Sequence, residues 1–168
     1  MVKTERELKD AIKSRAMAYV FIYEEMKKNL GVKKTDKIFS DSIYKFGESK
    51  CGKYKNALKK GGLKALANEF VKSSPLGGKI FRPGIEKVNE KECVLTMKAC
   101  PLVEAWKENK FSDEKIKTIC DIAYQIDLGT FHACGLYIEF THRIGAGDKK
   151  CRMILAQVPQ CDIGNDIF

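Results

Sequence analysis

The chain has 168 residues, 44% hydrophobic and 32% charged, with a formal net charge of +9. That suits one soluble domain, 1–168, with its own core. The longest apolar run, 16–23, is too short to span a bilayer and leads into Glu24 and Glu25, and the charged stretch 1–10 is no signal peptide, so a cytosolic (cytoplasmic) protein is expected, with no membrane partner.

The chain opens with an expected helix over 5–29. Leu8, Ile12, Ala16, Tyr19, Tyr23, Met26 and Leu30 recur at three and four, and Gly31 is a stop. Thr35 or Asp36 would cap a second helix with Ile38, Phe39, Ile43 and Phe46 on one side, running past Gly47 to about Lys60. Gly61 and Gly62 break it before a third helix carrying Leu63, Leu66, Phe70 and Val71. The turn-rich stretch 73–78 links this helical half, 1–75, to the rest of the chain.

A hairpin is expected next, with strands near 80–88 and 92–99 around Asn89 to Lys91. Pro101 opens a short helix, which makes Cys100 its N-cap. A longer helix over 112–129 is capped by Ser112, with Glu114 in its first turn and Gly129 near its end. Residues 133–144 and 149–158 read as two further strands, joined by a turn at 145–148. The resulting class is α+β: N-terminal helices packed on an antiparallel sheet of about four strands, in the order ααα-ββ-αα-ββ.

Seven cysteines, 51, 93, 100, 120, 134, 151 and 161, should be reduced thiols in the cytosol. Cys100 would face free backbone N–H groups and the positive end of a helix, which favours thiolate and lowers its pKa below the free value. Ile116, Cys120, Ala123, Tyr124 and Asp127 would share one helix face. A carboxylate on an inward face is costly unless paired or used, although Asp127 could also bond local backbone, and Cys120 alone could be a core thiol. In 145–151, Gly145 and Gly147 allow a reversal with positive φ, Asp148 can fix the turn, and Cys151 enters the last strand. No CxxC pair, P-loop, dinucleotide fingerprint or HExxH is present. Only five of the 31 cations are Arg, and the lysines are dispersed without interleaved aromatics, so no nucleic-acid partner is expected.

Residues 100–127, followed by 138–155, resemble the L-2-amino-thiazoline-4-carboxylic acid hydrolase family. Cys100-Pro101, Cys120 followed by Asp121, Asp127, Thr141, Gly147-Asp148 and Cys151 carry the likeness, which spans about 80–157. Met153 departs from it, standing where an aromatic is common. A more distant likeness is to 4-vinyl-reductase-type ligand-binding domains. The resemblance implies that Cys100, Cys120 and Cys151 converge in one pocket.

Two functions are expected from these residues. One is a hydrolase acting on a small cyclic amidine or thiazoline-type substrate at a C–N or C–S bond. There the Cys100 thiolate or a polarised water attacks, Asp127 or His132 moves the proton, Cys120 and Cys151 complete the catalytic set, Glu139 stands in reserve, and lysines hold a substrate carboxylate. The other is a non-catalytic, sensor-like domain for a small ligand or a metal, with Cys100, Cys120 and Cys151 holding zinc or a [4Fe–4S] cluster. Cys51, Cys93, Cys134 and Cys161 are bystanders in both. The long first helix could pack internally or across a homodimer.

Overall fold

A computed structural model describes residues 3–157, so Cys161 and the expected irregular tail lie outside the described residues. The helices are α1 (Lys3–Leu30), α2 (Val32–Glu48), α3 (Gly52–Lys72), α4 (Pro101–Glu108), α5 (Asp113–Ala123) and α6 (Gln125–His132). The strands are β1 (Pro83–Val88), β2 (Glu92–Met97), β3 (Leu136–His142) and β4 (Cys151–Gln157). They form one antiparallel sheet in the order β1-β2-β4-β3. The α+β class and the helices-then-hairpin order stand as read from the sequence. No helix among the described residues is long and apolar enough to cross a membrane.

Three helix boundaries differ from the expected ones. Gly31 turns the chain in a single residue at φ 76°, so α2 starts at once on Val32 and neither Thr35 nor Asp36 is its cap. Asp36 instead accepts a 2.8 Å hydrogen bond from Tyr23 Oη on α1. The break after α2 falls at 49–51, where Lys50 and Cys51 donate to Gly47 and Glu48 in the tight i to i+3 pattern. Gly61 and Gly62 do break the helical geometry as expected, Gly62 at φ 62°, so α3 is two helical runs joined at that point. Finally, the helix expected over 112–129 is two helices that meet at Tyr124. The Asp127 amide bonds the Tyr124 carbonyl at 2.9 Å, and the Ser112 cap is present, accepting from the Lys115 amide at 3.3 Å.

Side chains fall into two apolar clusters. One lies among α1, α2, α4 and α5, around Ala16, Val20, Phe39, Val103, Trp106 and Ile119. Trp106 Nε1 ties α4 to α1 through a 2.9 Å bond to the Ala16 carbonyl. The other lies between the sheet and helices α3 and α6, around Leu66, Leu95, Phe131, Met153 and Leu155. Cys93, Leu95 and Met97 belong to this cluster, as the alternation of β2 requires. On the opposite sheet face, Glu86 of β1 reaches Lys150 at 2.9 Å and Arg152 at 3.2 Å. Val94 and Thr96 of the intervening strand are buried on that same face. The two outer strands, β1 and β3, each carry a register irregularity, between Ile85 and Lys87 and between Phe140 and His142.

Helices α2 and α6 cross with their backbones almost touching. A Cβ on Gly47 would strike the Ile126 carbonyl oxygen, and one on Gly129 the Tyr44 carbonyl oxygen. Thr130 Oγ1 donates to the Gly47 carbonyl at 2.9 Å across the same crossing. Gly129 is therefore a contact residue in the middle of α6, not a helix end. The crossing fixes the position of α6, and with it Asp127.

Candidate active site

Between the two clusters lies a cavity of about 710 Å³. Cys100, Cys120, Asp127 and Cys151 all line it. Much of its wall is aromatic, including Tyr19, Tyr54, Trp106, Tyr124, Phe131 and Phe140. Its solvent-exposed lining residues, Arg15, Ser49, Lys50, Gly52 and Lys53, mark the mouth. Lys50 lies 4.4 Å over the Phe46 ring and Lys53 lies 4.9 Å over the Tyr54 ring, so each ammonium is held beside an aromatic face.

Each inner group reaches the cavity by a local device. Cys100 is the extended N-cap of α4, and Pro101 occupies the first helical position. Cys120 sits in the last turn of α5, directly against Gly145. Gly145 is needed for that close approach rather than for a positive φ, which of the two turn glycines only Gly147 adopts, at 102°. Asp148 fixes the turn by accepting the Arg143 amide at 2.7 Å. Cys151 begins β4 opposite Met97, and the Ile144 amide points at its sulfur at 3.4 Å. Asp127, the third residue of α6 beyond the Tyr124 break, has no side-chain hydrogen-bond partner among the described residues.

Electrostatically the site is dominated by burial. Desolvation raises the Asp127 pKa from 3.8 to about 7, which puts the carboxyl in the range of a general acid or base at neutral pH. Asp127 is only partly shielded from solvent because one side of it faces the cavity. Desolvation also pushes Cys120 up to about 12 and Cys151 up to about 11, and nearby thiolate or carboxylate charge adds to it. Cys100 corrects the expectation from the helix dipole. The amides of Leu102 and Val103 pull its pKa down, but burial is the larger effect and the net shift is upward. Iodoacetamide should therefore label Cys100 slowly at pH 7, with the rate climbing as pH passes 9. Rapid labelling at neutral pH, read by peptide mass, would show that the helix start outweighs burial.

The remaining expected residues lie elsewhere. His132 is exposed, off the cavity, with Nδ1 3.0 Å from Tyr44 Oη. It stands five positions after Asp127 on α6 and so points to a different side. Glu139 and His142 are exposed on β3, and Glu139 bonds Tyr137 at 3.3 Å. Thr141 bonds Arg152 at the sheet surface at 3.1 Å. Cys93 is buried in the sheet core, and Cys134 donates to the Thr130 carbonyl at 3.2 Å. Cys51 is half-buried at the start of α3.

Cys100, Cys120 and Cys151 share a cavity without forming a metal-ligand set. Among the described residues no group of three or more His, Cys, Asp or Glu is placed to hold a metal ion. The sequence reading missed Arg143, which lines the cavity, pairs with Asp121 and lies 4.7 Å over the Tyr124 ring. Its signal was present: Asp121 follows Cys120, and the carboxylate turns outward to hold the guanidinium while the thiol turns inward.

A family model described as L-2-amino-thiazoline-4-carboxylic acid hydrolase matches residues 10–155. No curated protein matches the sequence. Among solved structures, the fold is similar to trafficking protein particle complex subunit 3 from Naegleria fowleri, covalently bound to palmitic acid. That pair has a TM-score of 0.54 and 15% identity over 88% of this chain and 95% of that one. It is also similar to the phenol-responsive sensory domain of the transcription activator PoxR, solved with phenol. There the TM-score is 0.56 and the identity 11%, over 88% of this chain and 76% of that one. At these identities the two structures speak to the fold alone.

Proposed function

The chain belongs to the L-2-amino-thiazoline-4-carboxylic acid hydrolase family, and from that premise we propose that it opens a thiazoline-type ring inside the cysteine-lined cavity. The observation that carries this is that Cys100 lines the same cavity as Asp127, a carboxyl without a hydrogen-bond partner and with a pKa of about 7. Asp127 takes the proton of the Cys100 thiol by way of one water in the cavity. The sulfur adds to the amidine carbon, the ring C–S bond breaks, and the departing sulfur takes the proton back from Asp127. Water, deprotonated by Asp127, then attacks the same carbon, releasing Cys100 and a ring-opened urea. Cys100 has the nucleophile's place because the Leu102 and Val103 amides favour its thiolate when it forms. Arg15, Lys50 and Lys53 at the mouth suit a substrate carboxylate.

A second reading, a small-ligand-binding domain without turnover, is favoured by one observation. A cavity of about 710 Å³ is far roomier than one substituted five-membered ring needs; pockets of about 300–1,000 Å³ hold drug-sized ligands. Of the structurally similar proteins, one holds a larger ligand, covalently bound palmitic acid, and the other a small one, phenol. Mass-spectrometric assay of ring opening separates the two. Wild-type protein should convert 2-amino-thiazoline-4-carboxylate, and Cys100→Ser should lower kcat by about 10³-fold or more. Saturable binding with no product from the wild type would refute the hydrolase reading.

A further inference from the structure

A second cleft, of about 350 Å³, backs onto the same cysteine. Ala99, Cys100 and Val103 line both it and the large cavity, so Cys100 stands in their common wall. The character of this cleft is different. Six cations, Lys9, Lys79, Arg82, Lys98, Lys107 and Lys149, face it, against two carboxylates, Glu5 and Glu104. Glu104 is already engaged, by Lys9 at 2.6 Å and Lys13 at 3.7 Å. The other five cations form no ion pair among the described residues. They come from separate parts of the chain: the approach to β1, the exit of β2, α4, and the approach to β4. Arg82 and Lys98 are also tied together, since the Lys98 amide bonds the Arg82 carbonyl at 3.2 Å. Arg82 has φ 50°, a conformation that a side-chain-bearing residue adopts at a cost.

We propose that this cleft is an anion subsite for a small phosphorylated ligand, whose other end reaches Cys100 through the shared wall. The class follows from charge. One carboxylate would neutralise one of five unpaired cations, whereas a phosphate or diphosphate brings two or more charges and several acceptor oxygens. Arg82 can meet such a group bidentately and the lysines as point charges. The proposal rests on the hydrolase reading only in making Cys100 the reacting thiol; anion binding does not depend on turnover.

Inorganic pyrophosphate is the probe, titrated by calorimetry at low and at physiological salt. Saturable binding that weakens with salt is expected. Arg82→Glu with Lys98→Glu should weaken it at least tenfold. Lys79→Glu with Lys149→Glu, at positions free of Arg82's unusual backbone, should do the same. Lys33→Glu with Lys64→Glu makes the same change in net charge on exposed helix surface and should leave the affinity unchanged. Pyrophosphate should also slow alkylation of Cys100 and not that of Cys51. Equal affinity in all three double variants would overturn the proposal, as would the absence of saturable binding. Attachment to phosphatidate vesicles without pyrophosphate binding would overturn it in favour of a membrane surface. Ring opening that persists while pyrophosphate fails to bind would remove this inference and leave the hydrolase reading intact.

Discussion

Asp127→Asn should lower turnover by about 10²–10⁴-fold, the usual contribution of a positioned acid–base group, and should at the same time make the protein more stable at pH 8. The first effect arises because Asn cannot take a proton from Cys100 or from water. In the wild type the basic form of Asp127 accumulates above about pH 7, so kcat/KM should rise with pH through that value. The variant's residual activity should lack that limb. The second effect is a linkage. Desolvation lifts the folded-state pKa from 3.8 to about 7, so between those values the folded protein holds a proton that the unfolded chain has lost. Stability therefore falls as pH rises across that window, by up to about 1.4 kcal/mol per pH unit, and levels off above it. With solvent in the cavity screening the charge, the total is about 2 kcal/mol. Asn carries no such charge, so denaturant melts at pH 4 and pH 8 should show the variant matching wild type at the first and exceeding it at the second. A variant that is inactive and also less stable at pH 8 would mean that Asp127 is a structural residue.

Gly129→Ala should cost about 3 kcal/mol of stability, at the upper end of overpacking effects. The sign is the informative part. Alanine is the better helix former, and in an exposed helix interior the same exchange stabilises by about 0.5–1 kcal/mol. Here the added methyl would meet the Tyr44 carbonyl, backbone that cannot rotate away, so α2 and α6 must separate. Gly47→Ala opens the same crossing from the other side, at the Ile126 carbonyl. The double variant should lose less than the sum of the singles, because one displacement relieves both clashes. Since α6 carries Asp127, activity should fall with stability. A Gly129→Ala midpoint within about 0.5 kcal/mol of wild type would contradict the tight crossing.

What the sequence made legible was local. Pro101 after Cys100, Ser112 before an acidic first turn, the Asn89 turn and the alternation of β2 each act on neighbouring residues, and each appears as expected. The three thiols and Asp127 do line one cavity, because their motifs come from elements that the family pattern holds together. What stayed hidden was tertiary. Gly47, Gly129 and Gly145 look like helix or turn residues until the backbone or sulfur they admit is known. The break at Tyr124 leaves no proline or glycine at the site. The Cys100 pKa could not be read from its cap position, since the amides that lower it are written in the sequence and the burial that raises it is not. His132 was attractive for its chemistry, yet α6 turns it toward Tyr44.

The irregularities in β1 and β3 bear on how the protein behaves at high concentration. Among the described residues these are the two strands whose outer edges have no neighbour within the sheet, and an unpaired edge is a template on which another chain can grow a cross-β ladder. A shift between Ile85 and Lys87, and another between Phe140 and His142, interrupts the even spacing of donors and acceptors that such growth requires. Charged side chains at the first of these sites, Glu86 and Lys87, add repulsion to misfit. Each border of the sheet thereby carries a local obstacle to strand addition, which works against fibril formation.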